Sequence, residues 1–149
     1  MPRLTYAEIH DRTDLEKIAR LLKHSIVLSD MLKFSEANYF LVVSTNGKQF
    51  TKMMIYPLTE TAVIKLTIQG EKISDDVLVA LSDLSNRMQV IHSSGFAFVK
   101  NQLNYEIYLA KTLSSQQFQV IQKEMMQLEG INCVSIEEIT ATHPIATAD

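Results

Sequence analysis

Apolar and polar residues along the chain recur with a period near 3.6 in some stretches and of 2 in others, and the changes of period mark out elements. The first helix opens at Thr13-Asp14-Leu15-Glu16, a capping box whose hydroxyl and carboxylate can each serve an amide left without a partner at the helix start. Leu15, Ile18, Leu22 and Ile26 follow at three- and four-residue steps, with Glu16, Lys17, Arg20 and Lys23 turned outward. Past Ser29-Asp30 the period shortens. Tyr39-Phe40-Leu41-Val42-Val43 is an aromatic and β-branched run of the kind found in strands covered on both faces. Asn46-Gly47 tolerates the positive φ angles of a type I′ turn, so Tyr39–Thr45 and Phe50–Tyr56 are predicted to pair as an antiparallel hairpin, with Pro57 ending the second strand.

From Ala62 to Gln69 the alternation is cleanest, with Ile64, Leu66 and Ile68 on one face and Lys65, Thr67 and Gln69 on the other, which predicts a half-buried strand. After Gly70, Ser74-Asp75-Asp76 supplies an N-cap and two acids at the positive end of a helix dipole, and Val77, Leu81, Leu84 and Met88 mark a second helix. Gly95 opens a strand pair, Phe96–Lys100 and Tyr105–Ala110, joined through Asn101-Gln102-Leu103-Asn104. Ser114-Ser115-Gln116-Gln117 repeats the capping box, and Phe118, Ile121, Met125 and Leu128 keep helical spacing up to Gly130. Ile131 to Ile136 reads as a last strand, and the chain from Thr140 to Asp149, small, polar and broken by Pro144, as a loose tail. The predicted order is α-β-β-β-α-β-β-α-β. With no linker or composition shift, this is one α+β domain over residues 1–149, a single antiparallel sheet packed by helices.

Composition adds limits. A chain of 149 residues that is 46% hydrophobic and 21% charged can bury roughly two-thirds of its unfolded surface without staples. Its net charge is −3, and its Lys and Arg are scattered rather than gathered into a stripe, which argues against nucleic acid as a partner. A single Cys133 offers neither an internal disulfide nor a thiol pair for zinc, suits a reducing compartment, and reads as a small core residue. The longest apolar run is far short of the roughly 20 residues of a membrane span. The N-terminus lacks the apolar stretch of a secretory signal, so the cytoplasm is the expected location.

Candidate chemistry is sparse. His10, His24, His92 and His143 lie at no spacing that puts two on one helical face, so no metal or other cofactor is expected. Four glycines are too few to write a phosphate-cradling loop or a dinucleotide fingerprint. Ser93 and Ser94 adjoin His92, but neighbours in sequence do not make a catalytic triad, and His92 reads as an ordinary histidine at the junction of helix and strand. Asp75-Asp76 and Glu137-Glu138 are accounted for by helix capping and by an exposed strand end. No enzyme activity is expected. Met53-Met54 and Met125-Met126 supply adaptable apolar surface of the kind that suits variable partners.

Between Asp14 and Leu128 the order of elements resembles the type III secretion chaperone-like fold, which also covers the YbjN-type bacterial proteins. The residues that carry the resemblance are the Leu81-Ser82-Asp83-Leu84-Ser85-Asn86-Arg87 helix, the Phe96-Ala97-Phe98 and Tyr105-Glu106-Ile107-Tyr108-Leu109 strands, and the helix that starts at Ser114. The resemblance implies a small acidic homodimer that binds segments of another protein through apolar surface without turning anything over, with Asn86 as a structural helix position. On this reading Met54, Tyr56, Phe96 and Phe98 are the candidate partner or dimer surface. The strand from Ile131 departs from the chaperone plan. Taken alone, Ala62 to Ile139 runs strand, helix, strand, strand, helix, strand, the ferredoxin-like order, and Leu128 to Val134 resembles the ending of an ACT-type regulatory domain. That alternative implies a sensor of a small molecule such as an amino acid, although Gln69-Gly70-Glu71-Lys72 lacks the Asp-Arg-Pro-Gly-like loop many such domains show.

Overall fold

Residues 3–21 and 35–141 are described by a computed structural model, and their strands form two sheets where the sequence predicts one. The difference begins before the first predicted helix. Tyr6–Asp11 is a strand, β1, that pairs antiparallel with β2 (Tyr39–Asn46), which pairs antiparallel with β3 (Thr51–Leu58). These three make the first sheet, in the order β1-β2-β3. The alternation in β1 is obscured by charge, because only Ile9 is fully buried. Helix α1 (Arg12–Leu21) follows without a loop, and its cap is Asp11, whose Oδ1 accepts the Asp14 N–H at 2.8 Å. The predicted cap at Thr13 is therefore two residues late: the last strand residue does the capping and leaves Thr13 inside the first turn. Leu22, Lys23 and Ile26 lie outside the described residues.

The chain divides into two compact units, one of Val63–Glu138 with the N-terminal arm up to Thr5, the other of Tyr6–Ala62 with the chain from Ile139. In the second, Leu15 of α1 packs on Phe40 and Val42 of β2, with Ile18, Ala37 and Ile55 at the margin. Arg12 ties the segment before β2 to the start of α1. Its guanidinium donates to the Ala37 carbonyl, at 2.7 Å from Nη2, and to Ser35, and lies 5.5 Å from the Phe40 ring centroid.

The hairpin of β2 and β3 is present, with two changes. Gly47 N–H donates to the Phe50 carbonyl at 2.8 Å across a four-residue loop, and neither Asn46 nor Gly47 has positive φ. Pro57 does not end β3 but sits within it, in register with Phe40. A strand at the margin of a sheet tolerates a residue without an N–H.

In the first unit the sheet order is β5-β7-β4-β8, with β4 Ala62–Gly70, β5 Val90–Ser93, β7 Gln102–Ala110 and β8 Ile131–Thr140. A short β6 (Ala97–Val99) also pairs with β7. The sequence predicts two strands between the helices where there are three: the edge along β7 is broken between Ser93 and Ala97, with Gly95 at φ +72. Positive φ also marks Lys100 and Asn101, so the two-residue I′-type turn expected at Asn46-Gly47 occurs instead between β6 and β7.

Helices α2 (Asp75–Arg87) and α3 (Ser115–Met126) cover one face of this sheet, with Val77, Leu81 and Leu84 and then Phe118, Ile121 and Met125 buried. They pack with Ile64, Leu66, Ile68, Ile107 and Leu109 into one core. Both predicted caps form. Ser74 accepts from Val77, and Ser114 and Gln117 close a reciprocal capping box. Gly130, at φ +84, turns the chain into β8, and its carbonyl accepts the Glu71 N–H at 2.8 Å. A Cβ on Gly70 would collide with that same carbonyl oxygen. Cys133 is half-buried on β8 rather than a core residue.

Candidate functional site

The face of β4 predicted to meet water is the most polar buried surface among the described residues. Lys65 is 4% exposed and Gln69 4%, while Asn104 and Glu106 of β7 are 1% exposed. Strand register explains the grouping. Lys65 lies opposite Tyr108, Thr67 opposite Glu106 and Gln69 opposite Asn104, so the polar residues of both strands share the face turned away from α2 and α3. Gln69 Nε2 donates to Asn104 Oδ1 at 2.9 Å.

A charged residue goes below the surface only when its charge is paired. Lys65 Nζ stands 3.1 Å from Glu106 Oε2, and the N-terminal arm completes the set. Leu4 N–H donates to Glu106 Oε1 at 3.0 Å and Thr5 N–H to Oε2 at 2.9 Å. The Thr5 hydroxyl also donates to Oε2. The Thr5 carbonyl accepts from Lys65 Nζ at 3.0 Å. Thr5 Oγ and Tyr108 Oη are 2.6 Å apart. A hydroxyl has one proton to give, and that of Thr5 goes to the carboxylate, so Tyr108 is the donor in this last bond. Three side chains thus read every polar group of one residue, its N–H, its C=O and its hydroxyl.

Burial pushes the Tyr108 phenol up to about 12, with a further upward push from the Glu106 charge and an opposing one from the Thr5 hydrogen bond. The phenol keeps the proton it donates. Lys65 Nζ also lies 5.5 Å from the Tyr108 ring centroid. The His92 ring packs against Tyr108 with centroids 5.8 Å apart.

The residues predicted from sequence lie elsewhere. Phe96 and Phe98 are on the first unit, at the β6 margin, and Phe98 is 61% exposed opposite Leu103. That register puts Phe98 on the helix-covered face, where Phe96 stacks on Tyr105 at 4.8 Å between centroids. Met54 and Tyr56 are half-buried on β3 of the second unit, registered with Val43 and Leu41, both fully buried. The four therefore fall two on each unit. Asn86 is exposed in the last turn of α2. His92 is in strand β5 rather than at a junction. Ser94 Oγ accepts from Glu106 N–H at 2.9 Å and donates to the Gly95 carbonyl at 2.8 Å.

Alternation along β4 groups Lys65, Thr67 and Gln69 on one face but does not say whether that face is wet, so its burial is not legible from the pattern alone. One signal was there to find. Alternate positions of two predicted strands carry opposite charges, Lys65 on one and Glu106 on the other. Among the described residues no group of three or more His, Cys, Asp or Glu side chains could hold a metal ion, and no helix is long and apolar enough to cross a membrane. Comparison with protein-family models, curated proteins and solved structures finds no match to this chain.

Proposed function

We propose that this chain is a non-enzymatic binding module whose β4–β8 part is ferredoxin-like, and that it works as an ACT-like sensor of a small molecule such as an amino acid. The observation that carries this reading is the sheet order β5-β7-β4-β8, with α2 and α3 as crossovers on one face. The polar face on the other side gives such a module buried, directional groups with which to recognise a small ligand. Nothing in the arrangement supplies an activated nucleophile: Ser94 is held by backbone and Tyr108 retains its proton.

The chaperone-like reading, a homodimer that binds a protein segment, stands second. It draws on the apolar residues left exposed beside β6, Phe98 above all. A thermal-shift screen of amino acids and nucleotides, run beside a pull-down and a sedimentation measurement of oligomeric state, separates the two, because a ligand that binds only the folded state raises its stability. Stabilisation by a small molecule supports the sensor. A dimer that captures a protein and responds to no small molecule would overturn it.

A further inference from the structure

Thr5 is an electrically neutral peptide unit held between two full charges. The carboxylate of Glu106 faces its N–H and the ammonium of Lys65 faces its C=O. Neutral amides could be satisfied by neutral partners, and burying a lysine and a glutamate to hold them carries a desolvation cost that an apolar or amide pair avoids. Signs and positions instead complement a free α-amino acid, whose ammonium would replace the Thr5 N–H at Glu106 and whose carboxylate would replace the Thr5 C=O at Lys65. Each neutral contact would become a charge-assisted one.

The third contact fixes the side chain. Glu106 accepts a hydroxyl proton and Tyr108 supplies one to the same oxygen. Both protein groups are nearly fully buried, so a ligand without the hydroxyl would leave the Tyr108 phenol without its acceptor and Glu106 with one donor fewer. We infer that Lys65, Glu106 and Tyr108 form a binding site for a free β-hydroxy-α-amino acid, L-threonine or L-serine, and that Thr5 occupies this site in cis until the ligand displaces it. The inference rests on the sensor reading above and adds to it the site, the ligand class and a built-in competitor. Leu4 and Thr5 belong to no strand, so their release breaks no β-ladder.

The test uses the full chain, with L-threonine as the probe and L-valine, which has a methyl in place of the hydroxyl, as control. Amide hydrogen exchange reports the arm directly: threonine should raise the exchange of the Leu4 and Thr5 amides, and valine should not. Thr5→Gly weakens the competitor by removing its hydroxyl, so this variant should bind threonine tighter than the wild type does and at least about tenfold tighter than valine. Tyr108→Phe, which deletes one of the two groups that read the hydroxyl, should reduce the preference for threonine over valine even if Lys65 or Glu106 variants fail to fold. Equal response to threonine and valine, or no response in either wild type or Thr5→Gly, would overturn the site. If another small molecule stabilises the protein while the arm amides stay protected, the site falls and the sensor reading survives. If no small molecule stabilises it, both fall.

Discussion

Replacing Glu106 with leucine removes the acceptor of the Leu4 and Thr5 amides and of the Thr5 hydroxyl, together with the counter-ion of Lys65. The arm can swing out and give its amides to water. Lys65 has less freedom: the residue is 4% exposed and its ammonium keeps the Thr5 carbonyl as a hydrogen-bond acceptor. A buried charge left without its partner costs about 3–5 kcal/mol, a large share of the roughly 5–15 kcal/mol that holds a domain together. Lys65→Met is milder, about 1–3 kcal/mol, because Glu106 keeps three donors from the arm. The double variant Lys65→Met/Glu106→Leu has no unpaired charge, so adding the second substitution to Glu106→Leu should restore about 2 kcal/mol. Urea unfolding of the four full-length proteins measures this as a shift of midpoint at constant slope. A double variant as unstable as Glu106→Leu, or less stable, would show that charge coupling is not what the pair contributes and that leaving Lys65 unpaired carries no desolvation cost.

Tyr108 gives a pH signature. Its folded-state value near 12 lies above the ordinary 10.0, so the stability it contributes is complete below pH 10 and is lost as pH rises through 12. The loss is about 1–2 kcal/mol once solvent screening is allowed for, and a Tyr108→Phe protein should show a correspondingly flatter decline in alkaline unfolding curves. Gly70→Ala should cost about 1–3 kcal/mol or more in thermal melts, because the added methyl meets a backbone carbonyl that cannot rotate away. Ser114→Ala should cost about 1 kcal/mol by opening the capping box, and restoring the midpoint with Ser114→Asp would confirm the cause. Phe98→Ala should leave the midpoint within about 0.5 kcal/mol, while Leu103→Ala, its fully buried neighbour across the hairpin, should cost about 2–5 kcal/mol. A Phe98 variant as unstable as the Leu103 one would mean that Phe98 belongs to the core.

Elements whose formation depends on nearby residues were legible in the sequence. Ser74 and Ser114 cap where hydroxyl spacing says they should, and the helical stripes of α2 and α3 are the buried ones. Elements that depend on a distant partner were not. β1 carries Glu8, His10 and Asp11 and becomes a strand through its pairing with β2, some thirty residues on. Asn46-Gly47 has the composition of a tight turn, yet a four-residue loop takes its place, while Lys100-Asn101 accepts positive φ with no glycine to announce it. The candidate site was hidden for the same reason. Lys65 and Glu106 are 41 positions apart, and only the register of β4 against β7 and the return of Thr5 to the same face bring them together.

Pro57 has a consequence beyond the folded molecule. It lies in β3, at the margin of the first sheet, within Met53-Met54-Ile55-Tyr56-Pro57-Leu58, a segment whose other residues are uncharged, apolar and well suited to cross-β stacking. A strand arriving from another molecule finds no N–H at that position and cannot zip past it. The proline therefore acts as a gatekeeper against templated growth along this margin, during folding as well as after it.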